Sequence, residues 1–377
     1  MNSVRYTSID ILRGLAITIM ILGNLSPDSA FTYPQLLHRD WEGINLIDLA
    51  FPGFVFVMGV SLVFSHSVSG MSWFRKILRR SVVLFGLGLL LNHLQLLIMP
   101  LTTPDYTMAQ LYFDLTANFR PMGVLQRLAL VYLVGAFLYK IMPFRPLLWV
   151  SALGMMLCST VGYHLYNSVE PYNQLNNLSS HIDQLLLGTS HIYLHGVFDP
   201  EGLWGTINAS ASIIMGLIVG ISLKETPKSI FFASSPTRKL VATGFCMLAL
   251  GWLWSNVEIL GKPLWTAPYV LVTAGINTLV LAYLESRSEK RFIQGLLQPV
   301  RAIGRNPLFI YLFSQIMFIL LVSFSYKGEP IYLWLYHTYL FNAASPFVST
   351  FVYTLLWLLV CVILAEIMLR KNILIKL

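Results

Sequence analysis

The chain contains repeated apolar runs of about 20 residues, the length that an α-helix needs to cross the ~30 Å hydrocarbon core of a bilayer. Backbone polar groups inside lipid must be satisfied within the segment, so these runs are predicted to be helices. Hydrophobic residues make up 56% of the 377 residues, and only 11% are charged. Ordinary soluble domains carry about 25% charge. The sequence therefore predicts an all-α polytopic membrane protein.

Breaks rich in charge, proline or glycine separate about ten candidate transmembrane spans. They cover residues 8–25, 46–68, 77–99, 122–142, 146–164, 203–223, 240–257, 265–284, 307–325 and 348–369. The segments at about 26–45, 165–202 and 326–347 are long, and loops of such length are usually functional. We expect one transmembrane domain over residues 1–377, with chemistry in these outer loops.

Lysine and arginine residues concentrate in alternate loops, while most acidic residues fall in the loops between them. Arg79 and Arg80 follow the second span, and Arg301 and Arg305 precede the ninth. Because cationic loops stay on the cytoplasmic side, both termini are predicted to be cytoplasmic. The net charge of +8 then reflects this topology and contact with anionic membrane lipids, and no nucleic-acid partner is needed to explain it.

Two charged residues interrupt the first span. Asp10 and Arg13 are three positions apart, which places them on one helix face, where they can neutralise each other. Alternatively, Arg13 faces a polar cavity near the cytoplasmic mouth, where its planar guanidinium would bind a phosphorylated ligand. An intramembrane charge is costly, so both interpretations stay open.

The first outer loop combines a histidine with a carboxylate. His38 is followed by Trp41, and Asp48 opens the next span ten residues after His38. A lone loop histidine is usually a solvated residue. A carboxylate that orients the imidazole at the membrane surface would instead give it the geometry of a general base. Asn24 ends the first span on the same side.

Further polar residues lie in or beside the fourth and sixth spans. Gln126 and Arg127 fall inside an apolar helix, where Arg127 forms either a structural ion pair or a contact with a ligand inside the bundle. Asp199 and Glu201 stand at the outer start of the sixth span. Asp199 fits a helix N-cap followed by Pro200, and the two carboxylates together could capture a cationic amine. Histidine spacing in the preceding loop lacks the pattern of a zinc site, so no metal is predicted.

Several motifs occur in an order that points to a known family. They are SIDILRGLA at 8–16, HRDWEG at 38–43, GVLQRL at 123–128, DPEG at 199–202, GTIN at 205–208 and, more weakly, GRNP at 304–307. Together these motifs resemble the heparan-α-glucosaminide N-acetyltransferase family of transmembrane acyltransferases, including its bacterial homologues. The likeness extends from residue 5 to about 220.

The resemblance implies that cytoplasmic acetyl-CoA donates an acetyl group to the amine of a glucosamine-type sugar on the periplasmic side. His38 falls on the family's catalytic histidine, as base or acetyl carrier, and Asn24 on an asparagine of the same site, while Asp48 would orient the imidazole. The coenzyme A contacts expected from this reading are Arg13, Arg79, Arg80, Gln126, Arg127, Arg301, Arg305 and Asn306. The acceptor contacts expected from it are Asp10, Trp41, Asp199, Glu201 and Asn208.

The chain departs from the lysosomal enzyme by lacking its large outer domain and its disulfides, so a small amino-sugar acceptor is expected. Two other functions remain compatible with the sequence. One is a transporter of an amino sugar or a lipid-linked sugar, because intramembrane charges also mark translocation paths. The other is a glycan O-acyltransferase of the same architecture. The expected location is the bacterial inner membrane, and a homodimer is possible.

Overall fold

The computed structural model describes residues 6–65, 71–142, 145–225, 236–287, 291–341 and 343–375. The helices within these ranges are α1 (Thr7–Asn24), α2 (Ala50–Phe64), α3 (Met71–Thr102), α4 (Met108–Ala117), α5 (Val124–Ile141), α6 (Arg145–Tyr166), α7 (Leu178–Leu187), α8 (Leu203–Glu225), α9 (Pro236–Trp254), α10 (Ala267–Ser286), α11 (Arg291–Leu296), α12 (Gln298–Arg305), α13 (Pro307–Ser323), α14 (Ile331–Tyr339) and α15 (Pro346–Arg370). Short 3₁₀ turns occur at Ser29–Phe31, Pro34–Leu36, Leu46–Leu49, Thr189–His191 and Tyr193–His195. Strands β1 (Ser325–Tyr326) and β2 (Glu329–Pro330) form an antiparallel hairpin.

Each of the ten expected spans coincides with a helix: α1, α2 with the preceding turn, α3, α5, α6, α8, α9, α10, α13 and α15. Eight helices of the described ranges are long and apolar enough to cross a membrane, and the pair α12–α13, bent by 89°, raises the number to nine. Helix α9, with Arg238 and Lys239 in its first turn, is not among them. The predicted all-α polytopic membrane fold is confirmed, and the sidedness of its termini stays a prediction.

Helix α8 forms the centre of the bundle and is buried along most of its length, against α2, α5, α6 and α10. Its contact with α2 depends on two glycines. A Cβ atom at Gly59 would lie 2.1 Å from the carbonyl oxygen of Ile213, and one at Gly216 would lie 2.0 Å from that of Phe56. Such close backbone approach is typical of membrane helices. No hydrophobic driving force brings these helices together in lipid, so small residues that allow tight packing are favoured at their contacts.

The helices around this centre expose apolar side chains, as expected for contact with lipid. Leu90 of α3, Phe245 of α9 and Leu359 of α15 are 45%, 59% and 51% exposed. In water such a surface would be an aggregation hazard, whereas a bilayer covers it. These exposed apolar side chains form a surface that fits the predicted contact with membrane lipids.

The bundle has two ends of different composition, which we name after the predicted orientation. The outer end contains the segments 25–49, 103–123, 167–202, 255–266, 324–341 and 343–345. The Tyr332 hydroxyl links two of them by donating to the Leu25 carbonyl oxygen at 2.5 Å. The outer loops are not irregular throughout, since they contain α7, α14 and the β-hairpin. The inner end contains the first turns of α1, helix α12 and residues 371–375.

Candidate active site

Three ionisable side chains meet at the outer end. His38 Nδ1 lies 2.7 Å from Asp48 Oδ1, and the Lys262 Nζ atom lies 2.7 Å from His38 Nδ1 and 3.2 Å from His38 Nε2. Lys262 Nζ is also 3.4 Å from Asp48 Oδ1. The His38 side chain is 48% exposed, whereas that of Asp48 is fully buried. The imidazole therefore faces the outside with a buried carboxylate behind it, the arrangement that general-base chemistry uses.

The local fold explains why Asp48 is oriented toward His38. Its Oδ2 atom accepts hydrogen bonds from the backbone N–H groups of Asn45 (3.0 Å) and Arg39 (3.3 Å). The Asn45 side chain in turn donates to the carbonyl oxygens of Pro34 and Leu37, at 2.7 and 2.8 Å. With Oδ2 occupied by the backbone, Oδ1 remains for the imidazole of His38.

Lys262 reaches this site from a segment far away in sequence. The Gly43 N–H donates to the Leu260 carbonyl oxygen at 2.7 Å, and Gly43 also forms an isolated parallel bridge with Gly261. Gly43 has φ +99°, a left-handed conformation that favours glycine. Burial lowers the pKa of Lys262, while the carboxylates of Asp48 and Glu201 oppose this effect. Lys262 is thus a cation with two carboxylates near it.

Asn24 and Trp41 border the same end of the bundle. Asn24 is the last residue of α1 and is exposed, and the neighbouring Gly23 contacts Ile47 and the carbonyl oxygen of Leu36. Trp41 Nε1 donates to the Tyr172 carbonyl oxygen at 2.9 Å, and its ring meets that of Phe198 edge to face, with centroids 5.3 Å apart. The end of α1 therefore packs against the segment that carries His38 and Asp48.

A second ionic group holds the segment before α8. Arg120 binds both oxygens of Asp199, at 2.8 and 2.7 Å, and Glu201 at 2.7 Å. Burial acts to lower the pKa of Arg120, but the two carboxylates outweigh it and raise this pKa. Asp199 is buried, whereas the Glu201 side chain is 15% exposed. Of the two carboxylates expected to capture an amine, Glu201 is the accessible one, and both already neutralise Arg120.

Asp183 of α7 completes the support of this segment. It accepts hydrogen bonds from the backbone N–H groups of Leu203 (2.9 Å) and Asp199 (3.3 Å). Burial raises the pKa of Asp183 to about 6, against the effect of these two backbone hydrogen bonds. The carboxylate thus caps the N-terminus of α8, where a negative charge is favoured.

Arg127, Gln126 and Asn208 are buried inside the bundle. Arg127 donates through Nη2 to the Gly202 carbonyl oxygen at 2.9 Å, and its guanidinium carbon lies 5.1 Å from the ring centre of Trp265. The side-chain amide of Gln126 has no hydrogen-bond partner among the described residues. Asn208 donates to Ser159 at 3.0 Å. Among the described residues, Arg127 forms no salt bridge with Asp48 or Asp114, two outer-end carboxylates that an ion pair could have used.

At the inner end lies a cavity of about 430 Å³ whose mostly apolar wall includes two arginines, Arg13 and Arg80. Arg13 binds Asp10 at 3.0 Å and Ser61 at 2.6 Å, so the expected pairing with Asp10 is present. Binding of a phosphorylated ligand by Arg13 stays a prediction. Arg80 stacks over the Tyr132 ring, at 4.6 Å from its centre. Asp10 therefore lies near the cavity, at the opposite end of α1 from Asn24. It is distant from His38 and from the other residues expected to contact the acceptor.

The other residues expected to contact coenzyme A divide into two groups. Asn306 lines the cavity, but its side chain already bonds the backbone of Ile373 and Ile375, each at 2.9 Å. Arg79 is exposed on α3, and Arg301 and Arg305 lie half-buried on α12. Arg79, Gln126, Arg127, Arg301 and Arg305 are not part of the cavity wall.

A second, very small apolar space lies beside this cavity. Phe54, Leu128 and Leu308 line both the cavity and this space of about 10 Å³. Met20 and Phe51 also line the second space, and Met20 is one helical turn before Asn24. The two spaces are separate, and we name the line from the cavity through the second space toward the last turn of α1 the passage.

Sequence reasoning missed Lys262 and Arg120 as members of the outer site. Both belong to the few basic residues on the predicted outer side, which was the signal available. Basic residues are rare on the predicted outer side, so a basic residue found there is expected to have a partner. For Arg120 and Lys262 the partners are carboxylates. Among the described residues, no group of three or more His, Cys, Asp or Glu side chains is arranged to hold a metal ion.

The fold and this site define a polytopic helical membrane protein with a histidine–carboxylate pair at one end and a cation-lined cavity at the other. Residues 5–179 match the family model described as heparan-alpha-glucosaminide N-acetyltransferase, catalytic. The chain is 27% identical over 339 residues to heparan-alpha-glucosaminide N-acetyltransferase of Homo sapiens, and 25% identical over 338 residues to that of Mus musculus. The chain is related to this family, which confirms the resemblance found in the motifs.

These alignments cover 74% of the chain and 48% and 49% of the human and mouse proteins. The chain thus spans about half the length of the curated relatives it matches. The 5–179 match includes Asn24, His38, Asp48 and Arg127, and ends before Lys262.

Proposed function

We propose that this protein is a transmembrane N-acetyltransferase, which moves acetyl from acetyl-CoA at the inner end to the amine of a glucosamine-type sugar at the outer end. The observation that carries this proposal is the position of two separate spaces, the arginine-bordered cavity and the small apolar space beside it. They lie on the way toward the end of α1, which packs against the segment that carries His38. Arg13 and Asn24 are eleven residues apart on α1, which corresponds to about 16 Å along the helix axis. The pantetheine arm of coenzyme A is an extended chain of comparable length.

The inner cavity suits the phosphorylated end of coenzyme A. Arg13 and Arg80 supply guanidinium groups, which bind phosphate through several parallel hydrogen bonds. Arg79, Arg301 and Arg305 add positive charge at the same end, where it attracts the anionic donor without contacting it directly. Asn306 serves the cavity differently from the sequence expectation, because its amide holds residues 373–375 at the wall.

The outer site suits the removal of a proton from the acceptor amine. Asp48 accepts the hydrogen bond from His38 Nδ1, which leaves the lone pair of Nε2 for the reaction. In direct transfer, the neutral amine attacks the thioester carbonyl carbon, Nε2 takes the amine proton, and the C–S bond breaks as the amide forms. His38 then returns the proton to the leaving thiolate. Asn24 donates to the developing oxyanion.

Aromatic and acidic side chains near His38 suit an amino sugar. Trp41 and Phe198 offer apolar ring faces, and the partly exposed Glu201 offers a carboxylate to a cationic amine. Glu201 also acts electrostatically on Lys262, which indicates that the two side chains are near each other. Asp199 and Asn208 are buried and support this region, and Asp10 belongs to the donor end.

Transfer of radiolabelled acetyl from acetyl-CoA to glucosamine by the purified protein in detergent tests this function. We expect transfer that falls by about 10³-fold in His38→Ala, the middle of the usual range of general-base contributions. His181→Ala, which removes an exposed outer-loop imidazole, is the matched control and keeps wild-type transfer. Label that remains on the protein after an acceptor-free quench, and is lost in His38→Ala, would mark His38 as an acetyl carrier. An active His38→Ala variant would refute the assignment.

One observation favours the transporter alternative. The 89° bend between α12 and α13 at Asn306 is the kind of broken helix that transporters place at their binding sites. A transporter of an amino sugar or lipid-linked sugar predicts uptake by proteoliposomes and no affinity for coenzyme A. A glycan O-acyltransferase predicts His38-dependent acetyl transfer to a hydroxyl group and none to glucosamine. Location in the bacterial inner membrane remains a proposal that follows from the family resemblance.

A further inference from the structure

The loop at 255–266 delivers a single ammonium group to the reactive side of His38. Its backbone is fixed there, because Gly43 and Gly261 pair and the Gly43 N–H bonds the Leu260 carbonyl oxygen at 2.7 Å. The Lys262 side chain is only 17% exposed, so its position is set by packing rather than by solvent. A long lysine side chain loses considerable rotamer entropy when it is ordered in this way, and its contacts must offset that loss.

Asp48 already satisfies one nitrogen of the imidazole. Since Asp48 Oδ1 accepts from His38 Nδ1, the nitrogen left for chemistry is Nε2. The Lys262 Nζ atom stands 3.2 Å from this Nε2 and 2.7 Å from Nδ1. A carbonyl group whose carbon is attacked beside Nε2 therefore has its oxygen within hydrogen-bond reach of the ammonium.

We infer that Lys262 is a further catalytic residue, whose ammonium group donates to the acetyl carbonyl oxygen as negative charge develops on it. This inference rests on the proposed acetyl transfer. As the amine attacks, the C=O π electrons move to the oxygen beside Lys262, and the amine proton moves to His38 Nε2. The electrons return to re-form C=O as the C–S bond breaks, and His38 protonates the thiolate. Lys262 keeps its proton throughout.

The charges around Lys262 fit this role. Burial lowers its pKa, and the Asp48 and Glu201 carboxylates stabilise its charged form, while Arg127 opposes them. A buried ammonium group is a strong hydrogen-bond donor to a nearby oxyanion, because little water competes for its hydrogen bonds. Asn24 is then the neutral donor of the same oxyanion site, and Lys262 supplies the full charge.

A merely structural Lys262 would neutralise Asp48 and do nothing for the transition state. The two roles separate in a comparison of two ligands, coenzyme A and trifluoroacetonyl-CoA, a ketone that takes up a nucleophile at its carbonyl carbon and presents an oxyanion. We expect Lys262→Met to weaken binding of the ketone by about 10²-fold, the usual loss for one oxyanion donor. Binding of coenzyme A itself should change by less than about threefold, because the cavity lies at the other end.

Kinetics give the second readout. For Lys262→Met we expect kcat to fall by about 10²-fold with little change in the KM for acetyl-CoA, since the interaction is made only in the transition state. Lys262→Arg keeps the charge and should retain ketone binding within about tenfold of wild type. Lys327→Met removes an exposed lysine of the outer hairpin and serves as the matched control. Each variant is compared after its thermal unfolding has been measured.

The outcomes separate the two proposals. Equal weakening of both ligands in Lys262→Met, or a kcat within about threefold of wild type, overturns the role of Lys262 alone. A wild-type protein that binds neither coenzyme A nor the ketone overturns the proposed function and this inference together. If Lys262→Met does not fold, the ratio of the ketone affinity to the coenzyme A affinity is measured on Lys262→Gln and Lys262→Arg instead. A ratio in Lys262→Gln that equals the wild-type ratio overturns the role of Lys262.

Discussion

The two ends of this bundle treat charge differently. At the outer end, Lys262 and Arg120 bind carboxylates, so the positive charges are neutralised by the protein itself. At the inner end, Arg13 is paired with Asp10 but also borders a cavity of about 430 Å³, and Arg80, on the same cavity wall, faces a tyrosine ring rather than a carboxylate. Paired charges fix geometry, whereas charges along a cavity are available to a ligand. We therefore assign precise positioning to the outer end and anion binding to the inner end.

The largest loss in this comparison should come from breaking the geometry of the outer end. Asp48→Asn keeps the size of the side chain but removes the acceptor charge that orients His38. We expect kcat to fall by about 10²–10³-fold with an unchanged KM for acetyl-CoA. Asp114→Asn, at an outer-end carboxylate bonded to Tyr106, is the matched control. A comparable loss in both variants would show that the effect is not specific to His38.

Closing the passage between the two ends should separate binding from transfer. Leu308 lines both the cavity and the narrow space beyond it, so Leu308→Trp should fill the path of the pantetheine arm. We expect transfer to fall by about 10²-fold, the scale of a misplaced reacting group. Binding of 3′,5′-ADP, which lacks that arm, should persist in isothermal titration.

The matched control for the passage is Leu359→Trp, on the exposed face of α15. It adds the same ring to the lipid-facing surface and should keep transfer at the wild-type level. Leu308→Trp with full activity would mean that acetyl reaches His38 by another route.

A smaller effect is expected from weakening the inner end. Arg80→Gln removes one guanidinium from the cavity wall, and the loss of a charge-assisted hydrogen bond corresponds to about a tenfold rise in the KM for acetyl-CoA. The kcat should stay near wild type, in contrast to Asp48→Asn. Arg75→Gln, an exposed arginine on the same helix, should change neither constant. A fall in kcat at constant KM would contradict anion binding by Arg80.

The sequence predicted the local parts of both ends and missed the parts assembled from distant segments. His38 and Asp48 are ten residues apart, so their association could be inferred from one loop, and the ten apolar runs match ten helices. Lys262 lies 224 residues from His38, and Arg120 lies 79 from Asp199. Periodicity and charge counts carry no information on which loops meet.

Glu258 provides the smallest prediction and tests whether the outer end keeps every charge paired. Its carboxylate is buried, and Thr160 donates to Oε2 at 2.7 Å. Burial raises the pKa of Glu258 to about 7, against the effects of the Thr160 hydrogen bond and of one from the Ala267 backbone. The folded protein then holds this proton more tightly than the unfolded chain, whose glutamate has an ordinary pKa of about 4.3.

Stability should consequently fall as the pH rises from the unfolded pKa of Glu258 to its folded value, and the penalty is complete above that value. Glu258→Gln has no such penalty. The variant should match the wild type at about pH 4 and exceed its stability by on the order of 3 kcal/mol at about pH 8. Thermal unfolding in detergent at the two pH values measures this gain, with the exposed Glu170→Gln as control. A pH-independent difference would mean that Glu258 stays ionised in the fold.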